Sequence, residues 1–275
     1  MTGVLAIGTL ASGCFFGVVR GSGELATESR DVGVFDAVRA ESFYDVHVEQ
    51  GEKTAITLSC DDNILGRMIT RLDGSTLELT FERNTVAETN LECRADVTVA
   101  SVESLAATGS GRLYSDSLWS ELTVIRSTGS GGLDVLGADL AEGALEISNS
   151  GSGRVQVEQG WAPTVDLHNT GSGGVDVAAV DAVDATAKNT GSGQVVAAGV
   201  THALNAENTG SGGVDCSGLE ASEVTARNTG SGSVEVFASD SVDVTLTGSG
   251  NVEVYGQPSN MTMDDSGSGE VVVYN

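Results

Sequence analysis

Proline is nearly missing from this chain: Pro163 and Pro258 are the two in 275 residues. That scarcity suits a sheet whose backbone donors are all in use, where proline has no place. Lysine is equally scarce, at Lys53 and Lys188, while the formal net charge is −26. A surface this negative repels phosphates, which argues against nucleic-acid partners, and it lacks the polybasic patch that docks on anionic membranes. Histidine occurs only as His47, His168 and His202, with no spacing that suggests a zinc site. There is no nucleophile elbow, phosphate loop or Cys-x-x-Cys, so no catalytic centre and no cofactor is indicated. No apolar run is long enough to span a bilayer, and no stretch shows a convincing helical period.

What is present is a repeat. Gly-Ser-Gly begins at Gly109, Gly129, Gly151, Gly171, Gly191, Gly210, Gly230, Gly248 and Gly267, so successive copies lie 18 to 22 residues apart. This period is too short for a helical repeat or a propeller blade, and suits one turn of a β-solenoid. Apolar and polar residues alternate on both sides of the glycines, as in Val165-Asp166-Leu167 before one copy and Val175-Asp176-Val177 after it. Such alternation marks half-buried strands, with Val and Leu inward and the acids facing water. The glycines are expected at a tight corner that needs positive φ. Nine turns at ~4.8 Å each make a rod on the order of 45 Å long.

Two residues before the tripeptide, Asn149, Asn169, Asn189, Asn208 and Asn228 recur in consecutive copies. Stacked turns would place these amides above one another as an internal hydrogen-bonded ladder, with a ligand-reading row as the alternative. The residue just before each tripeptide is always Ser or Thr. After it, Asp134, Asp176, Asp215, Glu235 and Glu253 fall in one outward row. Like charges at the turn spacing repel by ~1 kcal/mol per pair even in bulk water, so the row calls for cations or strong salt screening. An acidic, lysine-poor surface of this kind resembles proteins of salt-loving archaea. The segment Gly171-Ser172-Gly173-Gly174-Val175-Asp176 also approaches the calcium-binding nonapeptide roll, but its second glycine is replaced by serine. Calcium or other cations along the acidic face are thus an alternative to screening alone.

The N-terminus is apolar from Val4 to Leu10 and runs into Ala11-Ser12-Gly13-Cys14. A short hydrophobic run, small residues and a cysteine resemble a lipoprotein signal: residues 1–13 would be removed, Cys14 lipidated, and residues 14–30 would form a tether. That makes the membrane a partner through the lipid anchor and places the protein outside the cytoplasm. Cys216 occupies an inward position of the repeat and reads as a buried thiol. Cys60 and Cys93 remain as the candidate disulfide of an exported protein. Residues 31–100 read as amphipathic strands of less regular spacing, forming an N-terminal cap ahead of the regular solenoid at 101–275.

Parallel β-helices often process polysaccharides, which directs attention to aromatics and basic residues on one face. Tyr114, Trp119 and Trp161 are nearly the only aromatics in the middle of the rod, and Arg112, Arg126 and Arg154 lie in nearby turns. These six residues are the candidate binding patch, set against the alternative that the tryptophans merely cover a loop or fill a corner.

Ahead of the repeats the chain reads Val-Phe-Asp-Ala-Val-Arg-Ala over residues 34–40 and Phe-Tyr-Asp-Val-His-Val-Glu-Gln-Gly over 43–51. Asp-Asp-Asn-Ile-Leu follows at 61–65 and Leu-Asp-Gly-Ser-Thr-Leu-Glu-Leu at 72–79, and then comes the Gly-Ser-Gly ladder. In that order, from Ser22 onward, these segments resemble the head GIN-domain family of auto-transporter adhesins. The resemblance implies an all-β fold, one right-handed parallel β-helix with about 20 residues per turn. It also implies export or lipid anchoring and no established enzymatic activity. The expected protein is a non-enzymatic envelope lipoprotein whose partner is a cell-surface glycan or protein. The alternatives are a polysaccharide-binding or polysaccharide-processing β-helix and a scaffold that self-associates end to end.

Overall fold

Alternating side chains form the strands, and the Gly-Ser-Gly corners decide where they turn. The computed structural model describes residues 17–119 and 124–274; the expected signal segment and Cys14 lie outside them. The N-terminal elements are β1 (Gly17–Arg20), β2 (Leu25–Arg30), β3 (Ala37–Glu41), β4 (Asp45–Gln50), β5 (Ala55–Asp61), α1 (Asp62–Leu65), β6 (Met68–Asp73), β7 (Thr76–Phe81), β8 (Thr85–Glu88) and β9 (Arg94–Val99). The rod continues with β10 (Ser104–Ala107), β11 (Leu113–Trp119), β12 (Val124–Ser127), β13 (Leu133–Asp139), β14 (Ala144–Asn149), β15 (Arg154–Val157), β16 (Gly160–Trp161) and β17 (Thr164–Asn169). It ends with β18 (Gly174–Asn189), β19 (Gln194–Asn208), β20 (Gly213–Asn228), β21 (Val234–Leu246), β22 (Val252–Tyr255), β23 (Asn260–Asp265) and β24 (Val271–Tyr274).

From β10 onward the chain is a parallel β-solenoid of about 8 turns with roughly 20-residue spacing. Each strand pairs with its counterpart one turn later, so identical positions stack. Val46, Leu113, Leu133, Val155, Val175, Val195, Val214, Val234 and Val252 form one inward column, each at most 1% exposed. Burying one such side chain contributes about 1.5–3 kcal/mol, enough to keep every turn in register. In the other arm Leu105, Ile125, Ile147 and Leu167 give way to Ala187, Ala206 and Ala226, so late turns lean more on their backbone ladders. The long strands β18, β19 and β20 bend without a loop, through register shifts near Val177, Val196 and Cys216. Such bulges are a means of turning a strand while keeping its pairing.

The Gly-Ser-Gly glycines are required for a different reason from the one their sequence suggests. None has φ between +20° and +160°. Instead the corners stack backbone on backbone. A Cβ on Gly131 would lie 1.8 Å from the Gly111 carbonyl oxygen, and one on Gly193 would lie 1.4 Å from that of Gly173. Close approach excludes any side chain there, while the intervening serine points out of the contact.

Behind the corners runs the asparagine ladder. Asn149 Nδ2 donates to Asn169 Oδ1 (3.1 Å), Asn169 to Asn189 (2.8 Å), Asn189 to Asn208 (3.0 Å) and Asn208 to Asn228 (3.2 Å). All five residues are buried. Their amides also serve the corner: Asn169 Nδ2 donates to the Gly171 carbonyl, and Gly151 N–H donates to Asn149 Oδ1. Buried polar groups are thereby satisfied, as they must be in a dry interior.

The N-terminal region departs from chain order. β3 and β4 form a turn that lies between β7 and β9 on one side and β10 and β11 on the other. Ser42 and Tyr44 stand where the rod would have glycines: the Ser42 carbonyl accepts the Ser110 and Gly111 N–H groups, and the Tyr44 carbonyl packs close against Gly111. Beyond β7 and β9 the end is closed by antiparallel strands: β5 pairs with β9 and β2, and β6 with β7. This closure protects an edge that would otherwise invite further strands. Residues 17–30, expected as a tether, are part of it. β1 pairs with β8 and β2 with β5, because Asp61 accepts the Gly23 N–H at 2.7 Å and the Thr89 hydroxyl, fixing the connection between them. Those two donors, the threonine first, hold the Asp61 carboxyl below its ordinary value. The Cys60 and Cys93 sulfurs are bonded to each other, tying β5 to the start of β9.

Candidate functional site

The six residues of the sequence-derived patch occupy three separate places. Arg112 and Arg154 stand two turns apart in one arm, and each reaches an acid in the following turn. Arg112 Nε lies 3.3 Å from Asp134 Oδ2, and Arg154 Nη1 lies 3.8 Å from Asp176 Oδ2. Arg126 lies in the other arm, across the corner, where its Nε donates to Ser148 Oγ at 3.4 Å. Trp161 is 48% exposed on a third stretch, and its strand position aligns with Asp139 and Asp181. Trp119 aligns with Asp139 one turn earlier. The patch fails to assemble because strand period and corner position decide which face a residue joins, and nearness in sequence does not.

Arg112 and Tyr114 do come together, with a residue that sequence reasoning set aside. The Tyr114 ring stacks on His47, centroids 4.3 Å apart and planes 10° from parallel. The imidazole lies between two carboxylates, 3.7 Å from Asp96 and 3.6 Å from Asp116. Asp45 accepts the Arg112 backbone N–H at 2.9 Å and steadies the rim. The result is an open cleft of about 520 Å³ bordered by Arg112, Tyr114, Asp116, Asp134 and the exposed Leu136. It offers an aromatic face, an apolar rim and hydrogen-bonding groups of both signs. The signal for His47 was available: it takes the outward position before Val48, and the register then places it under Tyr114.

A second feature follows the corners. The Ser or Thr before each tripeptide and the serine within it line a polar trough of about 1020 Å³ from Thr108 to Ser231. Its walls repeat every turn and contain no ionisable group. Among the described residues, one cluster of three potential metal-ligating side chains exists, Cys60, Asp61 and Cys93, and its sulfurs are spent on the disulfide. Burial, with the neighbouring Asp215 charge, pushes the Cys216 thiol up to about 12, so it is inert at neutral pH. The sequence reading also passed over Phe237, Tyr255 and Tyr274, which follow the inward valines Val236, Val254 and Val273 in the last three turns.

Fold and site together define a β-solenoid that presents open clefts and repeating faces along an extended surface. The chain belongs to the family described as putative auto-transporter adhesin, head GIN domain, whose model matches it twice, over residues 34–153 and 142–258. Comparison with curated proteins gives no match. Among solved structures, a putative adhesin from Parabacteroides distasonis superimposes with TM-score 0.70 at 18% identity, covering 94% of this chain and 100% of that one. A putative adhesin from Parabacteroides merdae gives 0.69 at 20% identity with the same coverages. A protein from Parabacteroides distasonis described as a putative lipid binding protein gives 0.67 at 16% identity, again covering 94% and 100%. At these identities the likeness speaks for the fold.

Proposed function

We propose that this protein is a non-enzymatic cell-envelope protein, held outside the membrane by lipid on Cys14, whose rod engages a cell-surface glycan or protein. The observation that carries this reading is the pair of overlapping adhesin-family matches that together run along one continuous solenoid. The Cys14 signal in the sequence supports the anchor, and no helix among the described residues is long and apolar enough to cross a membrane. The folded cap begins by Gly17, so a lipid at Cys14 holds the rod close to the bilayer with almost no slack. The cleft at Arg112 and Tyr114 is the contact point best equipped for a glycan, since sugar rings use an aromatic face and mixed hydrogen-bonding groups together.

The test is cosedimentation of the purified chain, lacking residues 1–14, with isolated envelopes in molar salt. Saturable binding that is lost on stripping glycans or surface proteins, and weakened by Tyr114→Ala, supports the reading. No binding under those conditions refutes it. A Cys14→Ser chain that still fractionates with membranes in detergent-sensitive form would remove the lipid anchor from the proposal.

A further inference from the structure

The last three turns carry an aromatic side chain at one register position. Phe237 pairs with Tyr255 and Tyr255 with Tyr274, while Glu220 holds the same position one turn earlier. The two tyrosine rings are stacked, centroids 4.9 Å apart and planes 14° from parallel. Tyr274 is 45% exposed. Two residues before Phe237 and Tyr255 stand Glu235 and Glu253, which continue the acidic row from Asp215 one turn earlier, and Val272 takes that position on the Tyr274 strand. The Tyr255 hydroxyl donates to Glu253 at 3.0 Å, linking the rows. Glu220 and the three rings border an open cleft of about 750 Å³, with Ser217 and Gln257 on its rim.

This end of the rod lacks positive charge. Upstream, the acidic row is matched by arginine, Arg112 to Asp134 and Arg154 to Asp176. After Arg227 the sequence contains no Lys or Arg at all, yet Glu235, Asp240, Asp243, Glu253, Asp264, Asp265 and Glu270 follow. The Glu235 carboxyl is pushed up by its partial burial and then by the charges of Asp215 and Glu253. Carboxylates beside the electron-rich faces of aromatic rings are mutually unfavourable, and a cation lying between them favours both.

We propose that the Phe237–Tyr255–Tyr274 row and its flanking carboxylates form a binding site for an organic cation, an alkylammonium or guanidinium group. The rings take its alkyl or planar surface, and Glu220 and Glu253 take its charge. A small inorganic ion keeps its water and makes no use of the rings. The group can come from a free quaternary ammonium solute or from a Lys or Arg side chain of a partner. This names a ligand chemistry for the rod proposed above, but its test needs only the purified chain, so it fails separately from envelope binding.

The test is NMR of ring-labelled tyrosine and phenylalanine while the full chain is titrated with choline at constant ionic strength. Parallel titrations use 3,3-dimethylbutan-1-ol, the neutral isostere, and an arginine-rich peptide. Saturable shifts of Tyr255 and Tyr274 with choline, absent with the alcohol, are expected. Tyr274→Leu should weaken binding roughly three- to thirty-fold, the range of one cation–π contact, and Glu253→Gln should weaken it by removing the carboxylate that takes the charge. Glu220→Gln, an exposed change, keeps the test available should a strand variant misfold. Tighter binding of the peptide than of choline assigns the source to a partner's basic segment, and the reverse order assigns it to a free solute. An equal response to the alcohol, or no saturable shift with either cation, overturns the proposal.

Discussion

Replacing Gly193 with alanine separates two explanations for the Gly-Ser-Gly corner. The added Cβ would lie 1.4 Å from the Gly173 carbonyl oxygen, 2.6 Å from its carbon and 2.9 Å from Asn169 Nδ2. Backbone must therefore move, and the local bonds Gly193 N–H to Gly171 O (3.1 Å) and Gly212 N–H to Gly191 O (3.2 Å) are strained with it. Overpacking costs about 1–3 kcal/mol and each hydrogen bond about 1 kcal/mol, so the expected loss is roughly 3–5 kcal/mol. Gly143 is the control: its φ is +96°, and a Cβ there meets nothing within 4 Å. Gly143→Ala should cost only about 1–2 kcal/mol, the penalty for left-handed backbone. Asparagine tolerates that backbone, so Asn should be milder than Ala at 143 but no better than Ala at 193. Urea unfolding followed by circular dichroism reads all four variants. If Gly193→Asn were clearly more stable than Gly193→Ala, or Gly193→Ala no worse than Gly143→Ala, the close-approach argument would be wrong.

Asn189→Ala should cost about 2–4 kcal/mol, because it strands amide groups of Asn169 and Asn208 in a dry interior. Lys188→Ala beside it, which removes a partly exposed ion pair to Glu207, should cost under about 1 kcal/mol in the same unfolding assay. Cys60 and Cys93 are 33 residues apart, so Cys93→Ser should destabilise by about 3–4 kcal/mol. Limited proteolysis should then cut first within residues 17–100, and initial cleavage in the rod would contradict the assignment of the disulfide to the cap. The Glu235 carboxyl titrates above the ordinary 4.5, so the folded chain holds a proton that the unfolded chain has lost. Stability at low salt should therefore rise as pH falls from neutrality toward that value, and the rise should shrink in Glu235→Gln and in molar salt. Thermal melts across that pH range check the sign, and a fall in melting temperature would refute it.

A great deal of the rod was legible in advance because its information is local and repeated. Val155, Val175 and Val195 recur at one phase of a period-two pattern, and the glycine spacing sets the length of a turn, so the parallel stack and the asparagine column follow from the chain alone. The end of the molecule did not follow. Nothing local in β3 and β4 says that they sit between β7–β9 and β10–β11, since that choice rests on pairings with strands distant in sequence, Val38 with Leu77 on one side and Leu105 on the other. Residues 17–30 read as part of a tether, yet Asp61, distant in sequence, holds them beside the cap as strands. The patch misled for the same reason: Arg126 is near Arg112 in the chain, but Arg112 follows one Gly-Ser-Gly corner and Arg126 precedes the next, so the register puts them in different arms. The glycines were marked by the sequence, while their reason, a carbonyl of the previous turn occupying the space of a Cβ, exists only once the turns are stacked. Periodicity determines what stacks. The Tyr255–Tyr274 stack follows that period, whereas which distant surfaces meet, and therefore where the cleft beside the His47–Tyr114 stack lies, is decided by tertiary contact.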